Sequence, residues 1–226
     1  MIRRDYIMTM IEQMARMLAE LIFLKKAGKQ QEAVELLNHA GRLFFGLDPV
    51  MIAWMTDDQF EALLKSGTGE ADPARSAVMA MLLAEHADIL DGECNEELAG
   101  RARVKALIAR AALHRSGLKE GLDDRIPSIE SLAEKLAEFE LPSSARRALM
   151  AYYESERMFA RAEDELDAMF EAEGATEELV RQGIQFYERL LDQEDAWLIA
   201  GNLPRDEVLE ALAALRQKAG RPRAIG

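Results

Sequence analysis

Few residues in this chain have the type and spacing to do chemistry. Its three histidines, His39, His86 and His114, lie far apart in sequence. None stands in His-x-x-x-His or Glu-x-x-His, the spacings that put two metal ligands on one helix face. The nearest approach to a cluster runs from His86 through Asp88, Asp91 and Glu93 to Cys94, around a helix end. One reading is a metal site, and the plainer one is a half-buried histidine beside a solvated acidic turn. Cys94 precedes a helix, whose dipole would lower its pKa and favour a nucleophile. Glu93, Glu96 and Glu97 push the other way, so an inert boundary cysteine is expected. Gly67-Thr68-Gly69 has neither the lysine nor the following strand that a phosphate loop needs. No catalytic residue, metal ligand or cofactor site is assigned, and the expectation is a protein that is not an enzyme.

The elements that would position any site are helices. The opening hairpin, Asp5 to Ala40, is the stretch around which the rest is expected to organise. Ile7, Met10, Met14, Met17, Leu21 and Leu24 recur at steps of three and four, and Ile7, Ile11, Met14, Leu18 and Leu21 form an adjoining seam. Together they make one broad apolar stripe that must be covered on both sides. Later helices would make it core, and a second copy of the chain would make it a homodimer seam through the first helix. Met8, Met10, Met14 and Met17 are adaptable packing residues suited to either. Asp5 can cap the helix start, Lys25 and Lys26 suit its end, and Gly28 permits the turn.

Further along, Gly46-Leu47-Asp48-Pro49 is a stop, and Val50 to Met55 is an apolar run with Trp54. Thr56-Asp57-Asp58-Gln59 is a capping box opening a short helix through Leu64. Residues 66–71 read as the most flexible internal stretch, and Asp72-Pro73 restarts a helix to about Leu90. Asn95 opens the next, to about Arg115, and 117–124 is a second polar break. Pro127-Ser128 starts a helix through Phe139, and further helices precede the turn at 202–206 and the last helix. No run alternates long enough for a strand. The fold class is all-α, with nine or ten helices in antiparallel hairpins. One elongated domain over 1–226 is expected, with a weak subdivision into 1–66 and 73–219 and a flexible tail at 220–226.

Gly28, Ala33, Leu37 and Ala40 have the spacing of the second half of a tetratricopeptide repeat, with Gln30 in place of the usual aromatic and the terminal Pro displaced to Pro49. Tyr153, Phe159, Ala162 and Leu166 repeat the spacing with the aromatics present, and Met169 stands where a small residue is usual. The chain therefore resembles a degenerate tetratricopeptide-repeat protein. The opening Asp5-Tyr6-Ile7, with Met8, Met10 and Ile11, also resembles a family of uncharacterised bacterial proteins of this length. The repeat resemblance implies stacked hairpins whose first helices line a groove for an extended peptide. Carried over, the groove positions fall on Leu18, Ile22, Lys25 and Lys26, and on Ser144, Arg147, Ala151, Glu154 and Ser155. Ala151 replaces the asparagine that clamps a peptide carboxylate in some members, so a C-terminal carboxylate is not the expected ligand.

Composition narrows the partner. The chain is 49% hydrophobic, enough for a core, and only 6% aromatic. A formal net charge of −13 argues against nucleic acid and against docking on an anionic membrane. One cysteine permits no internal disulfide, which suits a reducing compartment. Arg3 and Arg4 followed by Asp5, Glu12 and Glu20 make a poor signal peptide, and no apolar run reaches transmembrane length. A cytoplasmic protein is expected. Residues 154–178 hold ten acids against Arg157 and Arg161, a net of −8 that would attract a basic partner or form a solvated face. Arg216, Lys218, Arg221 and Arg223 make the end of the chain basic. The leading expectation is a non-enzymatic interaction or scaffold protein with a protein or peptide partner. The alternatives are a helical metal-dependent enzyme using acidic residues and a self-associating structural protein.

Overall fold

The structure, a computed structural model, describes residues 2–65, 69–118 and 126–219, the first four of them by backbone alone. The capping carboxylate of Asp5, positions 66–68 of the internal linker, the polar break from Lys119 onward and the tail at 220–226 lie outside the described residues.

Among the described residues there are twelve helices and no strand, with one isolated bridge between Lys65 and Ala71. They are α1 (Ile2–Lys26), α2 (Gln30–Phe45), α3 (Pro49–Ala53), α4 (Asp57–Leu64), α5 (Pro73–Gly92), α6 (Glu96–Arg115), α7 (Ile129–Lys135), α8 (Ser143–Ser155), α9 (Phe159–Glu173), α10 (Glu177–Leu191), α11 (Asp195–Ala200) and α12 (Arg205–Ala219). The fold is all-α, as the periodicity requires. The helices missing from the expected nine or ten are α3 and α11, of 5 and 6 residues, too short to display a period. α1 begins before Asp5, which lies inside the helix. α7 ends at Lys135, short of the expected Phe139. The Phe139 ring instead fills the space that a side chain on Gly100 would need.

The chain groups into two compact units, residues 1–145 and 146–226. The break expected at 66–73 falls inside the first.

The first unit is built on α5 and α6, not on the opening hairpin. α5 has apolar residues all round, and Ala74 to Leu83 is buried apart from Arg75. A helix without a polar face has to sit in the middle of the packing. α6 lies against it, with α1, α2 and α3 also packed on α5, and with α3 and α7 packed on α6. From α1, the seam Ile7, Ile11, Met14, Leu18 and Leu21 is buried, while Met10 and Met17 are half-buried at its border. Each such apolar side chain contributes about 1.5–3 kcal/mol by leaving water.

Local signals set the helix starts. Thr56 Oγ1 accepts from the Gln59 amide at 3.4 Å, and Gln59 Oε1 accepts from the Thr56 amide at 3.1 Å, a complete capping box. The Asp72 carboxylate accepts from the amides of Ala74 and Arg75, with Pro73 at the first helical position. Asn95 caps α6 and Ser128 caps α7 in the same way.

In the second unit α10 is the central helix, with α12 and α9 against it. Its glycine, Gly183, admits Leu215 of α12. The first turn of α9 is tied to the end of α11, where Ala160 N–H donates to the Gly201 carbonyl at 3.0 Å. A Cβ on Gly201 would stand 2.6 Å from the Arg157 carbonyl oxygen and 2.5 Å from the Phe159 ring. Gly201→Ala should therefore lower the stability of this unit by about 1–3 kcal/mol, read as a lower urea midpoint.

Candidate functional site

The stretch from His86 to Cys94 does not gather ligands. His86 is buried in α5, and its Nδ1 has no hydrogen-bond partner in the protein. Burial pushes its pKa down to about 4. Asp88 and Asp91 serve a different group, the buried guanidinium of Arg103 on α6. Arg103 Nη1 donates to Asp91 Oδ1 at 3.2 Å and Nη2 to Asp88 Oδ1 at 3.3 Å, and Lys135 Nζ reaches Asp88 at 2.7 Å. Burial opposes the charge of Arg103, and Asp91 and Asp88 outweigh it, so its pKa stands above the ordinary arginine value. No group of three or more metal-ligating side chains occurs among the described residues.

Cys94 is exposed, with φ +57°, just before the Asn95 cap. An L-residue in this left-handed conformation is strained by about 1–2 kcal/mol, and glycine is not. Cys94→Gly is expected to raise the thermal midpoint of the first unit, by relief of about 1 kcal/mol. His39 is exposed and His114 half-buried.

The expected groove positions of the first hairpin separate. Leu18 is core rather than groove, because its seam faces the packing inside the unit. Ile22 and Lys26 are exposed, and Lys25 Nζ is engaged with Glu85 of α5 at 3.2 Å.

Three of the five positions on α8 line one cleft. Ala151, Glu154 and Ser155 line a cleft of about 330 Å³ with Arg157, Phe159, Leu190 and Gln193. Phe159 and Leu190 border it but are almost fully buried, at 2% and 0% exposure, and Ala151 is half-buried. Glu154 stands on the rim and accepts from Arg189 Nε at 2.7 Å and Nη2 at 2.8 Å, a two-pronged ion pair between α8 and α10. The hydrogen bonds and charge of Glu154 raise the Arg189 pKa against the cost of burial. Arg157 has φ +60°, closing α8 where a glycine would be at ease, and its guanidinium lies 3.2 Å from the centre of the Trp197 ring. Arg147 lies elsewhere on α8 and faces Glu173 of α9 at 3.9 Å. Ser144 is half-buried, with an Oγ that has no hydrogen-bond partner.

Sequence reasoning missed Arg157, Leu190, Gln193 and Trp197. Leu190 and Gln193 reach the cleft from the end of another helix, and no short-range pattern marks that. The left-handed turn at Arg157 carries no glycine to announce it.

The acidic stretch at 154–178 is partly spent inside the unit. Glu163 Oε1 accepts from the Tyr187 hydroxyl at 2.7 Å, and Glu165 accepts from Arg146 Nη1 at 3.1 Å. Burial holds the Glu163, Glu165 and Asp167 carboxyls above the usual range, and pushes the Tyr187 phenol up. Of the basic residues near the end, Arg216 pairs with Glu188 at 2.7 Å, and Lys218 lies 5.8 Å from the Phe170 ring centre. No helix among the described residues is long and apolar enough to cross a membrane.

Fold and cleft define an all-α protein of two helical units, one with buried cations paired to part-exposed acids and one with a cleft lined by polar residues. Residues 1–220 match the Family of unknown function (DUF6483), and the chain belongs to that family. No curated protein and no solved structure matches it.

Proposed function

We propose that the chain is a non-enzymatic protein-binding module, and that the cleft of its second unit receives an extended segment of a partner protein. The observation that carries this is the cleft itself. Three positions that the repeat register assigns to a groove, Ala151, Glu154 and Ser155, line one cavity together with Arg157 and Gln193. A concave site with a few placed polar groups can orient a bound segment by those contacts. The α8–α9 pair supports a tetratricopeptide-like reading, since Phe159, Ala162, Leu166 and Met169 are buried along one side of α9. The charge of −13 favours a protein over nucleic acid, and the single cysteine favours a cytoplasmic setting.

The test is capture from a lysate of the protein's own cells, at low and at high salt, with wild type and with Ala151→Arg, which fills the cleft. A partner held by wild type and lost by the variant supports the reading. A partner held equally by both contradicts it.

A further inference from the structure

One wall of the cleft is held from outside it. We infer that Arg205, the first residue of α12, is the positioning residue for the wall that the α10–α11 connection supplies, and so for the segment the cleft receives; this rests on the binding role just proposed. Arg205 is not itself a lining residue. Its guanidinium grips three alternate residues of the connection. Nη1 donates to the Leu191 carbonyl at 2.8 Å, Nη2 donates to the Gln193 carbonyl at 2.6 Å, and Nε donates to the Asp195 carboxylate. Leu191 ends α10 and Asp195 begins α11, so a rigid planar fork sets the path of the chain between the two helices.

Two lining residues depend on this stretch. Gln193 lies in the middle of it, with its N–H donating to the Leu190 carbonyl at 2.9 Å and its side chain at the cleft. Arg157, in the turn between α8 and α9, rests its guanidinium on the Trp197 ring of α11. α11 has only 6 residues, too few to hold a helix in place by itself. Arg205 fixes its start, buried Leu198 anchors its middle, and the bond from Ala160 N–H to the Gly201 carbonyl fixes its end. Releasing the start therefore loosens Gln193 and the ring under Arg157 together. A lysine at 205 keeps the charge, but its single ammonium lacks the fork that reaches all three acceptors.

The experiment is amide hydrogen exchange of the full chain. In wild type the amides of Gln193, Trp197 and Leu198, each hydrogen-bonded within this stretch, are expected to be protected. Arg205→Lys should raise their exchange by about tenfold or more, with the amides of Leu166 and Phe186 changing far less. Asp195→Asn, which weakens one contact of the three, should raise the same amides by a smaller factor. Leu215→Ala, which empties the contact with Gly183 of α10, is the control: a loss of global stability raises exchange throughout the unit. A uniform rise with Arg205→Lys, no rise, or no protection of these amides in wild type would overturn the inference. The same chains then carry a photo-crosslinking residue at Ser155 in living cells. The wild-type adduct should be lost in Arg205→Lys and kept in Leu215→Ala. An undiminished adduct in Arg205→Lys would overturn the positioning role. No adduct even from wild type would remove the binding role alone, and the exchange pattern would still decide what holds the wall.

Discussion

Asparagine at both Asp88 and Asp91 is expected to lower the stability of the first unit by about 3–5 kcal/mol, whereas Arg103→Met should change it by no more than about 1 kcal/mol. The asymmetry follows from where each charge sits. The Arg103 side chain is 9% exposed and enters the α5–α6 packing, with Asp88 and Asp91 as its carboxylate partners. Its Nε is already buried without a hydrogen bond. Neutralising both acids leaves a cation in a poorly hydrated place with nothing to balance it. Removing the cation instead leaves Asp91 at 47% exposure facing water, and leaves Asp88 paired with Lys135. Urea unfolding of the three proteins decides the matter. Equal losses from the acid and arginine changes would show that Arg103 stabilises by its own contacts and not as a charge needing compensation.

The second large effect is acid lability centred on His86. Its pKa falls from 6.5 to about 4 because burial disfavours the imidazolium. At about 1.4 kcal/mol per tenfold change in proton affinity, this amounts to about 3 kcal/mol. The unfolded chain protonates His86 near pH 6.5, and the folded chain resists until about pH 4. Through that window the unfolded state binds more protons, so stability drops as pH falls and the loss is complete below about pH 4. His86→Leu should remove this part of the pH dependence, so that variant and wild type diverge by about 3 kcal/mol between pH 7 and pH 4. Parallel stability curves for the two proteins would contradict it. The second unit should respond the other way. Burial holds its Glu163, Glu165 and Asp167 carboxyls high, so the folded state takes up their protons first and gains stability as pH falls through their folded values toward the ordinary carboxyl range.

The sequence carried much of this architecture at the local level. The Thr56–Gln59 capping box, the Asp72-Pro73 start, the Asn95 and Ser128 caps and the seam from Ile7 to Leu21 each depend on residues within a turn or two of one another. They are legible for that reason. The prominence of the opening hairpin misled because its amphipathic stripe is easy to see, while α5, apolar all round, has no stripe. The burial of Arg103 and Lys105 was hidden for a similar reason. Charged residues at helical spacing look like a solvated face until the helix is known to be central. Lys105 is in fact buried, with its Nζ 2.5 Å from Asp57 and 5.1 Å from the Phe60 ring centre. Of the groove-register positions, Ala151, Glu154 and Ser155 line the cleft and Leu18 is buried in the α1 seam. The other half of the cleft, Leu190 and Gln193, follows from the packing of α10 and not from any neighbour in sequence.

The central claim is that the cleft of the second unit holds a partner. The most direct measurement places a photo-crosslinking residue at the exposed Ser155 and, as a control, at exposed Ala213 on α12, and irradiates living cells that make the full chain. A discrete protein adduct from position 155 that is absent from position 213, and lost when Ala151→Arg is added, is the predicted result. No adduct at 155, or the same adducts from both positions, would contradict the claim.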